Sequence, residues 1–412
     1  MRLLRRLMVL GGLAGLAPAT LACRDEAGSC ESLQHGLAKC GVVARDIDCS
    51  RIERADREAL ADAVSYGGCP TFATDKSGTG DPRLCKLGGW ACPASPLPMP
   101  TTGAKVPRYP LVFVSGIDGT PSFDWNPRIL ATLRDEYRIP TGLVHPLSWA
   151  PIAERAADLA ATIESMAGAR GYSKVNLVCY AVAGLDCRFL LSPHGLYEKD
   201  EAARSRITSL VASVTTIATP HRGTRVADAA LEALGNGDAA AIVSALSGTA
   251  ETPRSLDHGA LATTLEGLTP TALASWNLRV DDAEGVLYQS FAGVSRVLGK
   301  TKNDGDALVH CEGGASRFYR HDGTNDTLGE LLWATAPFAG STLGDDGRNV
   351  VSPNDGMVSV ESAKWGRFRG CVPADHYDVI GQVGHFTRDV QTGFDPVDLY
   401  RWVAADLARE GM

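Results

Sequence analysis

Lys174-Val175-Asn176-Leu177-Val178-Cys179-Tyr180-Ala181-Val182-Ala183-Gly184-Leu185-Asp186-Cys187-Arg188-Phe189-Leu190-Leu191 is the stretch whose reading settles the architecture. Its opening, Lys174 to Val178, is a short apolar run rich in β-branched residues, which predicts a buried strand. From Gly184 onward the spacing predicts the start of a helix. Little room remains between them, so the chain turns sharply from strand into helix. The residue at the apex of that turn, Ala181, has no heteroatom.

Working outward, strands and helices alternate. Leu111–Ser115 reads as a strand, Asn126–Tyr137 as a helix, Gly142–Pro146 as a strand and Pro151–Ala167 as a long amphipathic helix. Ser213–Thr219 and Val286–Gly293 are further strands. Alternation of this kind implies a mostly parallel sheet with helices on both faces, an α/β architecture. From Arg225 to Thr269 the chain turns rich in Ala, Leu and Gly with helical spacing.

Five stretches in one order carry a family resemblance between Pro107 and Val403. They are Tyr109-Pro110-Leu111-Val112-Phe113-Val114-Ser115-Gly116-Ile117-Asp118-Gly119-Thr120, Val175-Asn176-Leu177-Val178 with the turn after it, and Val214-Thr215-Thr216-Ile217-Ala218-Thr219-Pro220-His221-Arg222-Gly223-Thr224. Asn354-Asp355-Gly356-Met357-Val358-Ser359 and Asp375-His376-Tyr377-Asp378 complete the set. Together they resemble the bacterial secreted triacylglycerol lipases of the Pseudomonas and Burkholderia type, which have the α/β-hydrolase fold. In that family the strand-to-helix turn is the G-x-S-x-G nucleophile elbow. Here its five positions read Cys-Tyr-Ala-Val-Ala, so both flanking glycines and the serine are replaced.

The resemblance implies a role for each remaining position. Ala181 falls where the nucleophile belongs, Asp355 where the acid belongs, and His376, 21 residues later, where the base belongs. The order nucleophile, acid, histidine is that of α/β-hydrolases. His385 competes in a Gly-His-Phe context but lacks the match to the histidine loop. The implied oxyanion donors are the backbone N–H groups of Ile117 and Val182, with Ser115 standing where the family's oxyanion loop has a histidine. Arg225 to about residue 275 corresponds to the family's lid. A calcium ion is implied, held by Asp326 and Asp378 with the carbonyls of Gln382 and Phe386; carboxylates and carbonyls suit a hard cation. The family's disulfide falls at Cys311 and Cys371.

Cys179 is the one alternative nucleophile near the apex, although a cysteine buried in apolar surroundings is normally inert. A bridge from Cys179 to Cys187 would have to cross strand, turn and helix, which places the pair too far apart.

The N-terminus carries export signals. Arg2, Arg5 and Arg6 precede an apolar stretch from Leu7 to Leu16 and then small residues, so residues 1–22 read as a signal peptide. The apolar stretch is too short to span a membrane. Removing three arginines and no acids moves the net charge from −8 to −11, which argues against nucleic acid as a partner. Ala17-Pro18-Ala19 suits ordinary signal peptidase, whereas Thr20-Leu21-Ala22-Cys23 resembles a bacterial lipobox. The cysteine count, eleven, favours the second: lipidating Cys23 leaves an even ten. An envelope lipoprotein is therefore expected, with a periplasmic or secreted protein as the alternative.

Cys30, Cys40, Cys49, Cys69, Cys85 and Cys92 form a block within residues 23–92 that reads as a disulfide module with fifteen connectivities open to it. One helix, Ser50 to Tyr66, is expected in it. Residues 93–110 carry prolines at 93, 96, 98, 100, 107 and 110, a semi-rigid linker. The α/β domain then runs over 111–412.

Three functions follow as expectations. A lipase-like homologue without effective ester cleavage keeps a cleft for a lipid or acyl-ester ligand. A working lipase or esterase would need an unusual nucleophile such as Cys179. A surface lipoprotein scaffold would carry its function in the cysteine module.

Overall fold

The computed structural model describes most of residues 106–412. Outside the description are 119, 121–122, 236, 238, 248–257, 298–309, 312–325, 345, 383–388 and 390–391. Of the N-terminal block only Cys30, Leu33, Gln34, Cys49–Arg51 and Arg57 are described, with Cys30 bonded to Cys49. The signal peptide, Cys23, the linker before 106 and nearly all of the expected Ser50–Tyr66 helix therefore lie outside the described residues.

Six strands form one fully parallel sheet: β1 Leu111–Val114, β2 Thr141–Val144, β3 Val175–Tyr180, β4 Val211–Ile217, β5 Leu287–Gly293 and β6 Arg367–Val372. Their order is β6-β5-β4-β3-β1-β2, with β3 registered Val112↔Leu177 against β1 and Leu177↔Val214 against β4. Every residue of β1, β3 and β4 is buried; β1 is wholly apolar, and the polar side chains of β3 and β4 are paired, as where the Ser213 hydroxyl donates to Asn176 Oδ1 at 2.7 Å. This is the α/β-hydrolase fold expected from the alternation of elements.

Helices α1 (Pro127–Asp135) and α9 (Pro396–Arg409) cover one face; α2 (Ile152–Arg170), α3 (Ala183–Leu191) and α4 (Glu201–Leu210) cover the other. Their ends follow local chemistry. Asn126 caps α1 by accepting from the Arg128 N–H, and Pro127 at the first helical position gives up no needed donor. Gly171, at φ 65°, ends α2 in a left-handed conformation that suits glycine. Asp395 caps α9 and also takes both guanidinium nitrogens of Arg128, which fastens α1 to α9. Under these helices Phe113, Trp125 and Tyr400 pack edge to face, with centroids 4.8 to 5.6 Å apart. Each such pair adds about 0.5–1.5 kcal/mol beyond the area it buries.

Between β4 and β5 the chain makes four short helices: α5 Arg225–Leu234, α6 Ala239–Ser247, α7 His258–Glu266 and α8 Pro270–Asn277. They fill the stretch expected to be a helical lid.

The strand order fixes where a site can form. From β1 the chain steps outward to β2, then returns to β3 on the other side of β1 and continues to β4, β5 and β6. Loops leaving the carboxyl ends of β1 and β3 thus diverge around a crevice, the place where open α/β sheets bind ligands.

Candidate functional site

The strand-to-helix turn after β3 places Ala181 at that crevice. Ala181 has φ 50°, a left-handed conformation that an L-residue adopts only when its surroundings enforce it. Three hydrogen bonds do so. The Ala181 N–H donates to the Ile217 carbonyl at 2.9 Å, and the Ala181 carbonyl accepts from the Gly184 N–H at 3.1 Å and from the Thr219 hydroxyl at 2.7 Å. Gly184 lets the helix approach this closely, since a Cβ there would meet Thr219 Cγ2 at 2.6 Å.

The tight turn also overturns one expectation. Cys179 and Cys187 are bonded, with Cα atoms 7.2 Å apart, beyond the usual span of about 4.4–6.8 Å. Reversal of the chain at the apex carries α3 back past β3, so eight residues of separation shrink to a side-chain contact. Cys179 is fully buried and its sulfur is engaged, which removes the thiol-nucleophile reading.

Asp355 and His376 come together from the loops around β6. The imidazole Nδ1 lies 2.9 Å from Asp355 Oδ2, and the His376 N–H donates to the Asp355 carbonyl at 2.8 Å. Asp355 Oδ1 accepts from the N–H groups of Met357 and Val358 at 2.9 and 2.7 Å, so both carboxylate oxygens are used. A carboxylate at Nδ1 assigns the proton to that nitrogen and leaves Nε2 for the crevice. The Tyr180 hydroxyl donates to the His376 carbonyl at 2.7 Å, tying the residue before the apex to the histidine loop. Burial pushes the Tyr180 phenol well above its ordinary value, so it stays a donor. His385 lies outside the described residues.

After β1, the loop Ser115–Asp118 faces the apex from the other side. The Ser115 hydroxyl donates to Asp124 at 2.7 Å and thereby anchors the loop where a histidine was expected to. The stronger anchor escaped the sequence reading. Arg155, fully buried on α2, donates to the carbonyls of Gly116 (2.7 Å), Ile117 (3.0 Å) and Leu147. A peptide's C=O and N–H point opposite ways, so holding the Gly116 carbonyl aims the Ile117 N–H away from Arg155. Asp186 on α3 balances the guanidinium, with Nε and one terminal nitrogen both 2.9 Å from Oδ2. Burial pushes the Asp186 carboxyl up to about 6 against the pull of Arg155. A signal for this pair existed: Arg155 lies four residues before Leu159 and eight before Ile163, on the helix's apolar stripe.

Ala181, Val182, Ile117 and His376 border one pocket that opens to solvent. Its walls are almost entirely carbon, from Phe123 and Trp149 on one side to Leu246, Leu265 and Leu268 of the lid region on the other. Among the described residues on the lining, His376 is the only titratable side chain. Among the described residues, the N–H groups of Ile117 and Val182 donate no hydrogen bond.

A second cluster sits beneath the histidine loop. Ligand atoms of Asp326, Asp375 and Asp378, all buried, lie within 4.8 Å of one another. Asp375, which the sequence reading did not single out as a ligand, accepts from the N–H groups of Tyr377, Asp378 and Gly329. Burial, then Asp375 and Asp389, hold the Asp378 carboxyl well above the usual range. Gln382 is buried nearby and its amide donates to the Asp124 carbonyl at 3.0 Å. Phe386 lies outside the described residues. Cys311 and Cys371 are bonded, with Cα atoms 5.2 Å apart.

No protein-family model matches the chain. Triacylglycerol lipase 2 of Saccharomyces cerevisiae is 26% identical over 247 residues, 58% of this chain and 58% of its own length. A triacylglycerol lipase of Burkholderia plantarii is 27% identical over 151 residues, 35% of this chain and 38% of that protein. The chain thus spans less than two thirds of either relative. Among solved structures, the mature lipase BlEst2 of Bacillus licheniformis is 20% identical, with coverage of 69% and 89% and a TM-score of 0.42. Staphylococcus hyicus lipase is 16% identical, with coverage of 74% and 97% and a TM-score of 0.45. By its sheet the chain has the α/β-hydrolase fold, and the relatives it is similar to are lipases.

Proposed function

We propose that this protein is a lipase-like homologue that binds an acyl ligand in the cavity over Ala181 and does not cleave esters effectively. The observation that carries this reading is the apex itself. Ala181 occupies the strained left-handed position from which a nucleophile would reach the histidine, and it offers no attacking atom. The relatives' names as triacylglycerol lipases suggest the ligand class, and a carbon-lined pocket suits an acyl chain.

In this reading His376 is the base, Asp355 fixes its tautomer, and the N–H groups of Ile117 and Val182 form the oxyanion hole. Loss of the serine alone removes about 10⁶ in kcat from a serine hydrolase of this logic, leaving roughly 10³–10⁴ over water. That residue of activity is too small for a working lipase.

A calcium ion belongs to the proposal. Asp326, Asp375 and Asp378 present only oxygen, and three buried carboxylates this close together suit a hard cation. They would hold the ion, with Gln382 and Phe386 as the further ligands; it would take the place of the proton that burial otherwise favours on Asp378 and brace the histidine loop. Export and lipidation at Cys23 complete the reading. Disulfides Cys30–Cys49, Cys179–Cys187 and Cys311–Cys371 are compatible with an oxidising compartment.

The test is Ala181→Ser, alone and with Ala183→Gly, assayed on p-nitrophenyl esters of several chain lengths. The parent should give no turnover and no labelling by a fluorophosphonate, and the variant should gain both. Covalent labelling of the parent would overturn the proposal.

A further inference from the structure

Two residues on the pocket lining hold backbone conformations that a side chain ordinarily avoids. Ala181 is one. The other is Trp149, at φ 51° in the loop after β2. A bulky residue persists in the left-handed region only where its surroundings over-determine it, and such positions gather at functional sites. Every polar group of Trp149 is engaged. Its N–H donates to the Ile117 carbonyl at 3.0 Å, and its indole Nε1–H donates to Oδ2 of the buried Asp118 at 2.8 Å. Its carbonyl accepts from the Thr264 hydroxyl of α7 at 2.8 Å. Arg155 holds the carbonyl of Leu147, two residues earlier.

These bonds fix what the residue does to the pocket. Its backbone bridges the loop after β1, through Ile117, and helix α7 of the lid region, through Thr264. The ring therefore closes the wall between those two elements. Leu265, the residue after Thr264, and Leu268 also line the pocket, with no polar atom to fix a rotamer. The indole is tied at backbone and ring together, and only 1% of the residue is exposed.

We infer that Trp149 is the specificity-determining residue for acyl length, a fixed stop against which the far end of the chain comes to rest. This rests on the acyl-binding reading above and deepens it. Each methylene that leaves water for a carbon-lined pocket raises affinity about fourfold. That gain ends where the next methylene meets the indole. Pushing the ring aside would break its bond to Asp118 and leave a buried carboxylate oxygen without its donor, which cancels what the added methylene contributes. A wall of leucines alone would yield by changing rotamers and set no sharp limit.

The experiment measures straight-chain methyl esters, from butanoate to tetradecanoate and below their aggregation concentrations, on the full mature chain by displacement of a dansyl-labelled acyl ester. Affinity for the parent should rise about fourfold per methylene and then stop at one chain length. Trp149→Gly removes the ring and suits the positive φ. Its limit should lie at longer chains, with the same steps up to it, while the short esters bind as they do to the parent. A limit unchanged in Trp149→Gly overturns the inference and leaves the acyl pocket standing. Displacement by none of the esters overturns both. A second measurement needs no variant: an ester of the limiting length with a diazirine at its last carbon should label Trp149 in the parent. Labelling confined to Leu265 or Leu268 would overturn the inference even if Trp149→Gly does not fold.

Discussion

Arg155 shows how one side chain can determine a site it never touches. It is fully buried, it holds three carbonyls of the loops around the crevice, and its charge is balanced only by Asp186. Removing one partner of a buried pair leaves the other uncompensated, which costs about 3–5 kcal/mol. Arg155→Met should therefore lower the urea midpoint strongly. In the Ala181→Ser background it should also abolish the gained esterase activity. Lysine keeps the charge but not the guanidinium fork, so Arg155→Lys should recover more stability than activity. Activity that survives Arg155→Met in a folded protein would refute this positioning role. The residue-level legibility of the site divides along similar lines. The family resemblance singled out Ala181, Asp355 and His376, and the structure brings the last two into hydrogen-bond contact. Ser115 looked like a lost anchor, and its bond to Asp124 could not be read from spacing.

Elements set what the residues can do. The unit β3, turn and α3 was legible as strand and helix because Val175, Leu177 and Val178 are apolar, two of them β-branched, and all are fully buried. How far α3 folds back was not legible, since the angle of a turn depends on backbone torsions such as φ 50° at Ala181. That is why Cys179 and Cys187 were read as too distant and are in fact joined. The acidic cluster is likewise a matter of elements. Asp326 pairs in a short ladder with Ser295, just past β5, while Asp375 and Asp378 belong to the loop after β6. A cation there would join two segments that sequence separates by about fifty residues. Chelation with EDTA should lower the melting temperature and added Ca²⁺ should restore it, by mass action on the folded state. Asp326→Asn should blunt the response. A melting temperature indifferent to both reagents would remove calcium from the proposal.

For the whole molecule, the parallel sheet was the most legible feature, because alternation of strand and helix patterns leaves few arrangements. The lid region was legible as helical but not as four helices, since Ala-rich sequence carries weak boundary signals. No helix among the described residues is long and apolar enough to cross a membrane. On the proposed lipidation, mass spectrometry of the mature chain should find a diacylated Cys23 as its first residue. An unmodified N-terminus at residue 20 would favour plain secretion. Ala181 carries a last consequence for the molecule as a whole. Its strained backbone, its supporting bonds from Ile217, Gly184 and Thr219, and the paired Asp355 and His376 are all in place without the atom they would serve. Alanine and serine share codon families that differ at a single first base. On the proposed reading one nucleotide change therefore separates this chain from a complete triad, which would put binding and catalysis on neighbouring points of the same mutational path.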